Sequence, residues 1–393
     1  MIRKVIPLAI GSLGLGLTEY VIMGLLPDIA HAEQIELTKA GNLISAYALG
    51  VVIGAPLLTF ILLKKNYKTS LIWLMTGFVV FNVFTVFVPT YALLFIARLL
   101  TGLPHGAFFG IGAVLASKAA PPGKSSQAVA VMLSGLAFAN LIGVPLGTYI
   151  GQRFGWETTY LAIAAIGVVS VIFIYKWVPS TLPENQTSPD GQLSFFTTLD
   201  FWLIVLMTSI GIGGLFCWIS YISPLMTNVS GFGADKISLI LMLAGVGMLV
   251  GSDLGGRIAD RFGPSKALLY ILILLGFSLW AVYLFSSSKP LSLLFTFTTG
   301  TLAYATVTPF QLVMMGAAAK GTEMIAGAVT HAAFNLGNAL GAYLGGLPID
   351  AGYDFTYPSL VGVLLTFIGA VLTIWHIKRR GRTEAAKAAC VNS

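Results

Sequence analysis

The sequence is poor in charge for its size. Only 9% of its 393 residues are Asp, Glu, Lys or Arg, whereas 56% are hydrophobic. The mean hydropathy is +0.88, a value that a water-soluble domain of this length does not reach. We therefore predict an integral membrane protein, and at about 20 apolar residues per crossing the length allows about a dozen helices.

Cysteine is also scarce. Cys217 lies in a predicted helix and Cys390 in the C-terminal tail, on different levels of the membrane, so no disulfide is expected. The chain has no metal-spaced Cys/His cluster and no Gly-x-Ser-x-Gly. Residues 123–125 read Gly-Lys-Ser, but the glycine that a phosphate loop requires five residues earlier is Lys118. We expect neither an enzyme, a metal nor a cofactor.

The net charge of +7 is distributed asymmetrically along the chain. When the basic residues are placed on the predicted helices, Arg98 lies inside the membrane. Most other Lys and Arg residues lie at the two termini or on loops that share the side of the termini. By the positive-inside rule both termini are then cytoplasmic, in a multi-pass protein of the inner (plasma) membrane. A nucleic-acid partner is not indicated. The four basic residues on the other side are Lys39, Arg153, Lys236 and Lys289.

Hydropathy predicts twelve transmembrane helices, with the long polar segment 179–200 at the middle of the chain. We expect an all-α protein with two six-helix bundles at 1–178 and 201–380, a cytoplasmic linker at 179–200 and a cytoplasmic tail at 381–393. The predicted helices are 5–27, 39–62, 68–88, 91–116, 126–150, 156–178, 201–226, 236–256, 265–286, 290–316, 322–347 and 356–377.

An internal repeat relates the two halves. Ser12-Leu-Gly-Leu-Gly16 leads to Pro27, and Ser209-Ile-Gly-Ile-Gly213 leads to Pro224, at a constant offset of 197 residues. At the same offset, Gly50 and Gly54 match two glycines of the eighth predicted helix. Two such halves are typical of a rocking transporter whose site lies between them near the membrane midplane. The two glycines of the eighth helix are Gly247 and Gly251. In the eleventh helix, Gly337, Gly341 and Gly345 match Gly143, Gly147 and Gly151 of the fifth.

The helices, the repeat and three segments together resemble the major facilitator superfamily, within it the drug:proton antiporter family and its arabinose-efflux and sugar-efflux permeases. The segments are Thr18-Glu-Tyr-xxx-Gly-Leu-Leu-Pro27, Arg98-Leu-Leu-Thr-Gly-Leu-Pro-His-Gly-Ala-Phe-Phe-Gly110 and Phe334-Asn-Leu-Gly337. The resemblance implies two pseudo-symmetric six-helix bundles, alternating access and a proton gradient in place of a cofactor.

Two shorter motifs belong to the same resemblance. Gly143-Val-Pro145-Leu-Gly147 resembles the antiporter motif of the family's exporters, although close helix packing alone would also explain the glycines. A loop motif after the eighth predicted helix resembles the superfamily's cytoplasmic gate. The alternative is that its basic residues only fix the orientation of the protein in the membrane. In the first half that motif is eroded to Leu63, Lys64 and Asn66. The gate residues are Gly256, Arg257, Asp260, Arg261 and Gly263.

Two charges lie well inside the first half's predicted helices, away from their ends. Glu19 is eight residues from Pro27 and Arg98 seven from Tyr91, so both lie at similar depth. An intramembrane charge needs a partner or an aqueous path, and we expect Glu19, Arg98 and His105 to couple transport to protons. The alternatives are a structural or substrate-binding carboxylate and a packing histidine. The repeat carries neither charge, because Phe216 matches Glu19 and Thr298 matches Arg98.

A polar stripe on the eleventh predicted helix points to a cavity. His331, Asn335 and Asn338 recur at helical spacing, and in a membrane such a stripe must face protein or water. With other amides and aromatic rings it predicts a substrate cavity for hydroxyl-rich or mixed-polarity solutes, the alternative being hydrogen bonds between helices. The other predicted cavity residues are Asn140, Trp218, Tyr221, Tyr304 and Gln311.

These observations predict a monomeric proton-coupled transporter that exports a small organic solute, foremost a sugar or related neutral polar compound. A multidrug or nucleoside-type proton antiporter is the alternative. A membrane sensor or scaffold is a remote one, because neither the short linker nor the tail has room for a signalling domain. The expected partners are the solute, protons and the lipid bilayer.

Overall fold

The computed structural model describes residues 2–62, 65–121, 125–180, 197–317 and 323–391. Every regular element in these ranges is helical. Most of the linker (181–196), Leu63 and Lys64 of the eroded motif, Gly123 and Lys124, and the last two residues of the predicted tail lie outside them. Residues 381–391, predicted as tail, instead continue the last helix.

We number the long helices α1 to α12. Their bounds are α1 Ile2–Gly24, α2 Leu37–Leu62, α3 Tyr67–Phe87, α4 Tyr91–Ala119, α5 in three parts (Ser125–Phe138, a π-helical turn Ala139–Gly143, and Val144–Phe154), α6 Trp156–Trp177, α7 Leu199–Ile219, α8 Ile237–Phe262, α9 Pro264–Phe285, α10 in two parts (Lys289–Ala305 and Val307–Ala317), α11 Glu323–Asp350 and α12 Tyr357–Val391. Short helices Leu26–Ala32 and Ile222–Pro224, a π-helical turn Leu225–Val229 and a 3₁₀ turn Ala234–Lys236 lie between them.

The twelve helices form the predicted all-α membrane fold of two pseudo-symmetric six-helix bundles. In the described residues, eleven helices are long and apolar enough to cross a membrane. The twelfth, α11, has 28 residues but carries the polar stripe, and it packs between α2 and α7. Large apolar side chains such as Trp73 and Phe87 lie exposed on the outer surface, as lipid contact requires.

Two predicted helices end earlier than expected. Helix α1 ends at Gly24 and α7 at Ile219, and in each case a short helix containing a proline follows, Pro27 in one and Pro224 in the other. A proline has no N–H to continue the hydrogen-bond ladder of the preceding turn. The two breaks occur at repeat-related positions, so the halves share this interruption.

Glycines bring α5 against α1. A Cβ atom on Gly143, Gly147 or Gly151 would lie 2.6, 2.8 or 2.7 Å from the side chains of Leu17, Val21 and Leu25, respectively, closer than packing permits. Leu17 and Val21 belong to α1 and Leu25 directly follows it, and their spacing of four fits the groove that the glycines leave. In the second half, Gly337, Gly341 and Gly345 of α11 approach α7 in the same way.

A second glycine-mediated contact is also repeated. Gly50 and Gly54 of α2 lie against the backbone of α4 at Leu99 and Leu103, while Gly247 and Gly251 of α8 lie against α10 at Phe297 and Thr301. The matched glycines of the sequence therefore make matched helix contacts, which explains why their spacing persists in both halves.

Successive helices run in opposite directions, which defines two ends of the bundle. We call the end where α1 begins and α6 ends the terminal face, and the other end the opposite face. At the terminal face Arg379 of α12 forms an ion pair of 2.9 Å with Asp200 of α7. On the same face Gly263 adopts φ +81° between α8 and α9, a conformation that favours glycine.

We predict that Gly251→Ala lowers the melting temperature of the purified protein in detergent, because a Cβ would overlap the Thr301 carbonyl. Overpacking of this kind costs about 1–3 kcal/mol. Gly256→Ala on the same helix is the matched control, since no atom lies within 4 Å of its added Cβ. Equal melting temperatures for the two variants would contradict the packing described.

Candidate functional site

A cavity of about 200 Å³ lies between the two halves, where α1, α4 and α5 face α7, α8, α10 and α11. This volume holds on the order of ten waters. The residues of α5, α10 and α11 that line it lie toward the terminal face, whereas Glu19, Tyr20 and Phe216 lie deeper, near the opposite-face ends of their helices. The cavity thus has its mouth at the terminal face and its floor toward the opposite face.

Contacts between the halves close the opposite face. Ser45 Oγ of α2 donates to the carbonyl of Ala339 on α11 at 3.0 Å. Beyond α7, the Tyr221 side chain lies where Gly41 of α2 in the first half leaves space, and its hydroxyl donates to the Ala342 carbonyl of its own half at 2.8 Å. Toward the terminal face, Ala55 of α2 also packs against Ala328 and Ala332 of α11, but in the described residues no hydrogen bond between the halves covers the mouth of the cavity, which opens at this face.

Five predicted cavity residues line the cavity: Asn140, Tyr304, Gln311, His331 and Asn335. They are joined by hydroxyl groups of Ser252, Thr308 and Thr330, and by apolar walls from α5, α7 and α8. The site can therefore hydrogen-bond a solute and also cover apolar parts of it.

Three predicted cavity residues lie elsewhere. Trp218 is buried at 1% exposure within the second half, and Tyr221 lies beyond the floor in the contact that closes the opposite face. Asn338 is fully buried and donates to Glu19 rather than facing the cavity. The rotation of α7 and α11 was not predictable for Trp218 and Asn338, and Tyr221 lies past the break that ends α7 at Ile219.

Side chains also join the two halves across the cavity. Asn140 Nδ2 donates to the Tyr304 hydroxyl at 3.0 Å and to the Leu136 carbonyl at 3.1 Å. Tyr20 and Phe216 lie nearly parallel with ring centroids 6.4 Å apart. Sequence reasoning missed both rings, although Tyr20 adjoins Glu19 and Phe216 is its repeat equivalent.

The predicted antiporter motif shapes this wall of the cavity. Asn140 belongs to the π-helical turn Ala139–Gly143. The next helical part begins at Val144, and Pro145 follows. Proline supplies no N–H to the turn before it, and the Val144 N–H bonds to the Ala139 carbonyl across the wider turn. The motif thus has a packing role through its glycines and also lies beside a residue that lines the cavity.

Glu19 lies buried at the floor, 4% exposed. Its Oε1 accepts a hydrogen bond of 3.3 Å from Asn338 Nδ2 of the second half. Its Oε2 lies 4.0 Å from His105 Nδ1. The carboxylate therefore sits on the interface between the halves, held by an amide from one and beside an imidazole from the other.

Arg98 does not form the expected pair with Glu19. It is buried at 1% exposure, and among the described residues no carboxylate lies within 4.0 Å of it. Its guanidinium donates from Nη2 to the Thr18 carbonyl at 3.0 Å and from Nη1 to the Thr18 hydroxyl at 3.3 Å. The rings of Tyr47 and Tyr160 lie 4.8 and 5.4 Å from its Cζ. Carbonyl and ring faces thus replace the carboxylate.

His105 has the partners that sequence reasoning could not name. Its Nδ1 lies 2.8 Å from the Tyr47 hydroxyl, and its ring lies 5.6 Å from that of His331 across the interface. Phe109 stacks on His331 at 4.4 Å. Tyr47 carried no signal in the sequence, because a tyrosine within an apolar helix resembles a packing residue.

In the described residues the loop motif forms no ion pair with the first half. Arg257 pairs with Asp253 one turn earlier on α8 at 2.9 Å, and both side chains are largely exposed. Asp260 has no basic partner within 4.0 Å in the part of the chain that is described. Leu63 and Lys64 of the matching loop in the first half lie outside that part.

Comparisons with known proteins agree with this architecture. The family model of the Major Facilitator Superfamily matches residues 8–330. "Putative transporter AraJ" of Escherichia coli (strain K12) is 38% identical over 98% of both chains, and "Inner membrane transport protein YdhP" of the same strain is 35% identical over 96% of both. The crystal structure of a D-xylose-proton symporter has a TM-score of 0.72 at 17% identity, covering 95% of this chain and 97% of that one.

We predict that Arg98→Lys destabilises the purified protein by about 2 kcal/mol, because an ammonium cannot keep both Thr18 hydrogen bonds while lying between two rings. Thermal unfolding in detergent measures the change. Arg153→Lys, an exposed arginine on α5, is the control and should leave the melting temperature unchanged. An Arg98→Lys protein as stable as the wild type would show that the contacts with Thr18, Tyr47 and Tyr160 do not require a guanidinium.

Proposed function

The chain belongs to the major facilitator superfamily, and on that premise we propose that it is a monomeric, proton-coupled transporter exporting a small neutral polar solute by alternating access. Members of this superfamily are membrane transporters and not enzymes, and they need no cofactor. Small molecules are their substrates. Export, proton coupling and the class of solute are the proposed part.

The proposed orientation places both termini in the cytoplasm. The excess of Lys and Arg on the termini and the loops of their side supports it, and the relative YdhP is named an inner membrane transport protein. In this orientation the terminal face is cytoplasmic, so the cavity of the present conformation receives solute from inside the cell.

The observation that carries the proposal is the position of Glu19. It lies at the floor of the cavity and accepts a hydrogen bond from Asn338 of the other half. An ionised carboxylate is only an acceptor, whereas a protonated one also donates. Gain or loss of a proton at Glu19 therefore changes a contact on the surface along which the halves move, which couples the proton to the rocking motion.

The proposed cycle follows from this contact. Solute enters the cytoplasmic mouth while Glu19 is ionised and bound to Asn338. The halves then rock, the opposite face opens, the solute leaves, and Glu19 takes a proton from outside. On the return the proton is released into the cavity. Asp260 and its neighbouring cations in the loop motif are proposed to contact the first half only when the cytoplasmic face is closed.

The cavity's chemistry supports two solute classes. The amides of Asn140, Gln311 and Asn335 suit a sugar or another hydroxylated compound, and no lining carboxylate other than Glu19 attracts cations. The apolar walls favour the second candidate, a multidrug or nucleoside-type antiporter, because a free sugar gains little from them. Apolar lining residues include Leu133, Leu136, Ile212, Leu215, Met248, Leu249 and Phe334.

A thermal-shift screen of the purified protein separates these classes. With L-arabinose, uridine and ethidium as probes, we expect one of them to raise the melting temperature, since a ligand at 100 times its Kd stabilises the folded state by about 2.7 kcal/mol. Gln311→Ala should reduce the shift, whereas Tyr221→Phe, outside the cavity, should not. A shift only with ethidium would displace the neutral-solute proposal, and equal shifts in both variants would exclude this cavity as the binding site.

Proton coupling is tested by Glu19→Gln in proteoliposomes, with the compound that binds in the screen. We expect wild-type transport to follow an imposed pH gradient and the variant to lose that dependence while still binding the compound. Asp235→Asn, an exposed carboxylate in a surface ion pair, is the control. If Glu19→Gln still transports the compound in response to the gradient, the assignment of Glu19 is wrong.

A further inference from the structure

Tyr47 of α2 contacts two basic side chains of α4, Arg98 and His105. Its ring lies 4.8 Å from the Arg98 guanidinium, and its hydroxyl lies 2.8 Å from His105 Nδ1. The side chain is 1% exposed, so neither contact exchanges freely with water. No other described residue makes both contacts. Tyr47 therefore links the fixed positive charge to the imidazole beside Glu19.

Tyr160 of α6 provides an internal comparison. Its ring also lies over Arg98, at 5.4 Å, but its buried hydroxyl has no hydrogen-bond partner among the described residues. If the only task of these tyrosines were to hold the guanidinium, a phenylalanine ring would serve at both positions. The Tyr47 hydroxyl differs because it is bound to the imidazole.

The Tyr47 hydroxyl has two partners. It lies 2.8 Å from His105 Nδ1 and 3.4 Å from the Leu15 carbonyl, and the imidazole tautomer decides whether the hydroxyl or Nδ1 donates in the shorter bond. A neutral imidazole that accepts at Nδ1 carries its hydrogen on Nε2. The Leu15 carbonyl remains as a second acceptor to which the hydroxyl can turn.

The groups that face His105 come from four helices. Glu19 of α1 lies 4.0 Å from Nδ1, Tyr47 of α2 binds Nδ1, and His331 of α11 lies beside the ring at the cavity. On α4 itself, Arg98 acts through Tyr47. Both the Tyr47 hydroxyl and the Glu19 carboxyl thus compete for one nitrogen of a residue that also lines the cavity.

We propose that Tyr47 is the positioning residue that controls proton release from Glu19 through His105. When Glu19 is protonated, the Tyr47 hydroxyl turns from Nδ1 to the Leu15 carbonyl, Nδ1 takes the proton from the carboxyl group, and the hydrogen on Nε2 passes to water in the cavity. One proton enters the ring and one leaves it. Glu19 is left ionised, the state that accepts from Asn338. This inference rests on the proton coupling proposed above.

The test uses the proton itself as the probe. Melting temperatures of the full-length wild type, Tyr47→Phe and Tyr160→Phe are measured in detergent between pH 5 and 9. Tyr47→Phe removes the bond to neutral His105 but keeps the ring over Arg98, so its destabilisation should be largest at high pH and shrink as His105 becomes charged and pairs with Glu19. A hydrogen bond of ordinary strength moves the midpoint of the pH profile by on the order of half a pH unit. Tyr160→Phe should give a constant difference at all pH values.

A double-mutant cycle guards against a purely structural effect. If Tyr47 acts through His105, then in a His105→Asn background Tyr47→Phe should no longer change the pH dependence, because interacting residues are non-additive. A pH-independent difference for Tyr47→Phe, an equal effect of Tyr160→Phe, or additivity in the cycle would each overturn the inference.

The outcome remains distinct from that of the proposed function. Proton-driven transport that requires Glu19, together with a pH-independent effect of Tyr47→Phe, would overturn this inference and leave the proposed function standing. Wild-type transport that ignores the pH gradient would overturn the proposed function and with it the role given to Tyr47, even if the Tyr47–His105 bond itself were found.

Discussion

The helix arrangement of the first half depends on one constraint, a buried positive charge that has no carboxylate within ion-pair distance among the described residues. Arg98 cannot reach water, and it has no carboxylate partner in the described chain. It is stabilised instead by the carbonyl and hydroxyl of Thr18 and by two tyrosine rings. Each of these groups lies on a different helix from Arg98, so α1, α2 and α6 must all keep their positions around α4. The preserved packing of these helices, through Gly50 and Gly54 among others, is what makes a fixed site for Glu19 and His105 possible.

Most of the fold could be predicted from the sequence, because it follows from hydropathy and from a repeat of glycine positions. The offset of 197 residues marked helices that make equivalent contacts, and the equivalent prolines Pro27 and Pro224 follow equivalent helix breaks. Those breaks still shortened the predicted helices, since the sequence pattern stays apolar through them. An apolar run shows that a segment can lie in the membrane, but it does not show where its backbone leaves the helix.

The candidate site could be predicted only in part. Counting residues from the helix ends placed Glu19 and Arg98 at the same depth, and Thr18 indeed meets Arg98. The counting could not show that a carbonyl and ring faces would hold the guanidinium, because such groups occur in every helix. Trp218, Tyr221 and Asn338 were predicted as cavity residues because amides and aromatic rings suit such a site, yet the rotation of a helix depends on contacts all along its length, and Tyr221 lies past the break that ends α7. Tyr47 was missed for the related reason that its role arises from its two neighbours and not from its own position.

The π-helical turn in α5 has a consequence for any comparison of this helix with a relative. Such a turn holds about one residue more than an α-helical turn, which amounts to about 100° of rotation about the axis. Leu133 and Leu136 before the turn and the glycines after it are therefore out of phase with one another. A helical wheel drawn through α5 as one unbroken helix would assign one of its ends to the wrong side, turning cavity residues toward lipid or packing glycines toward the solute.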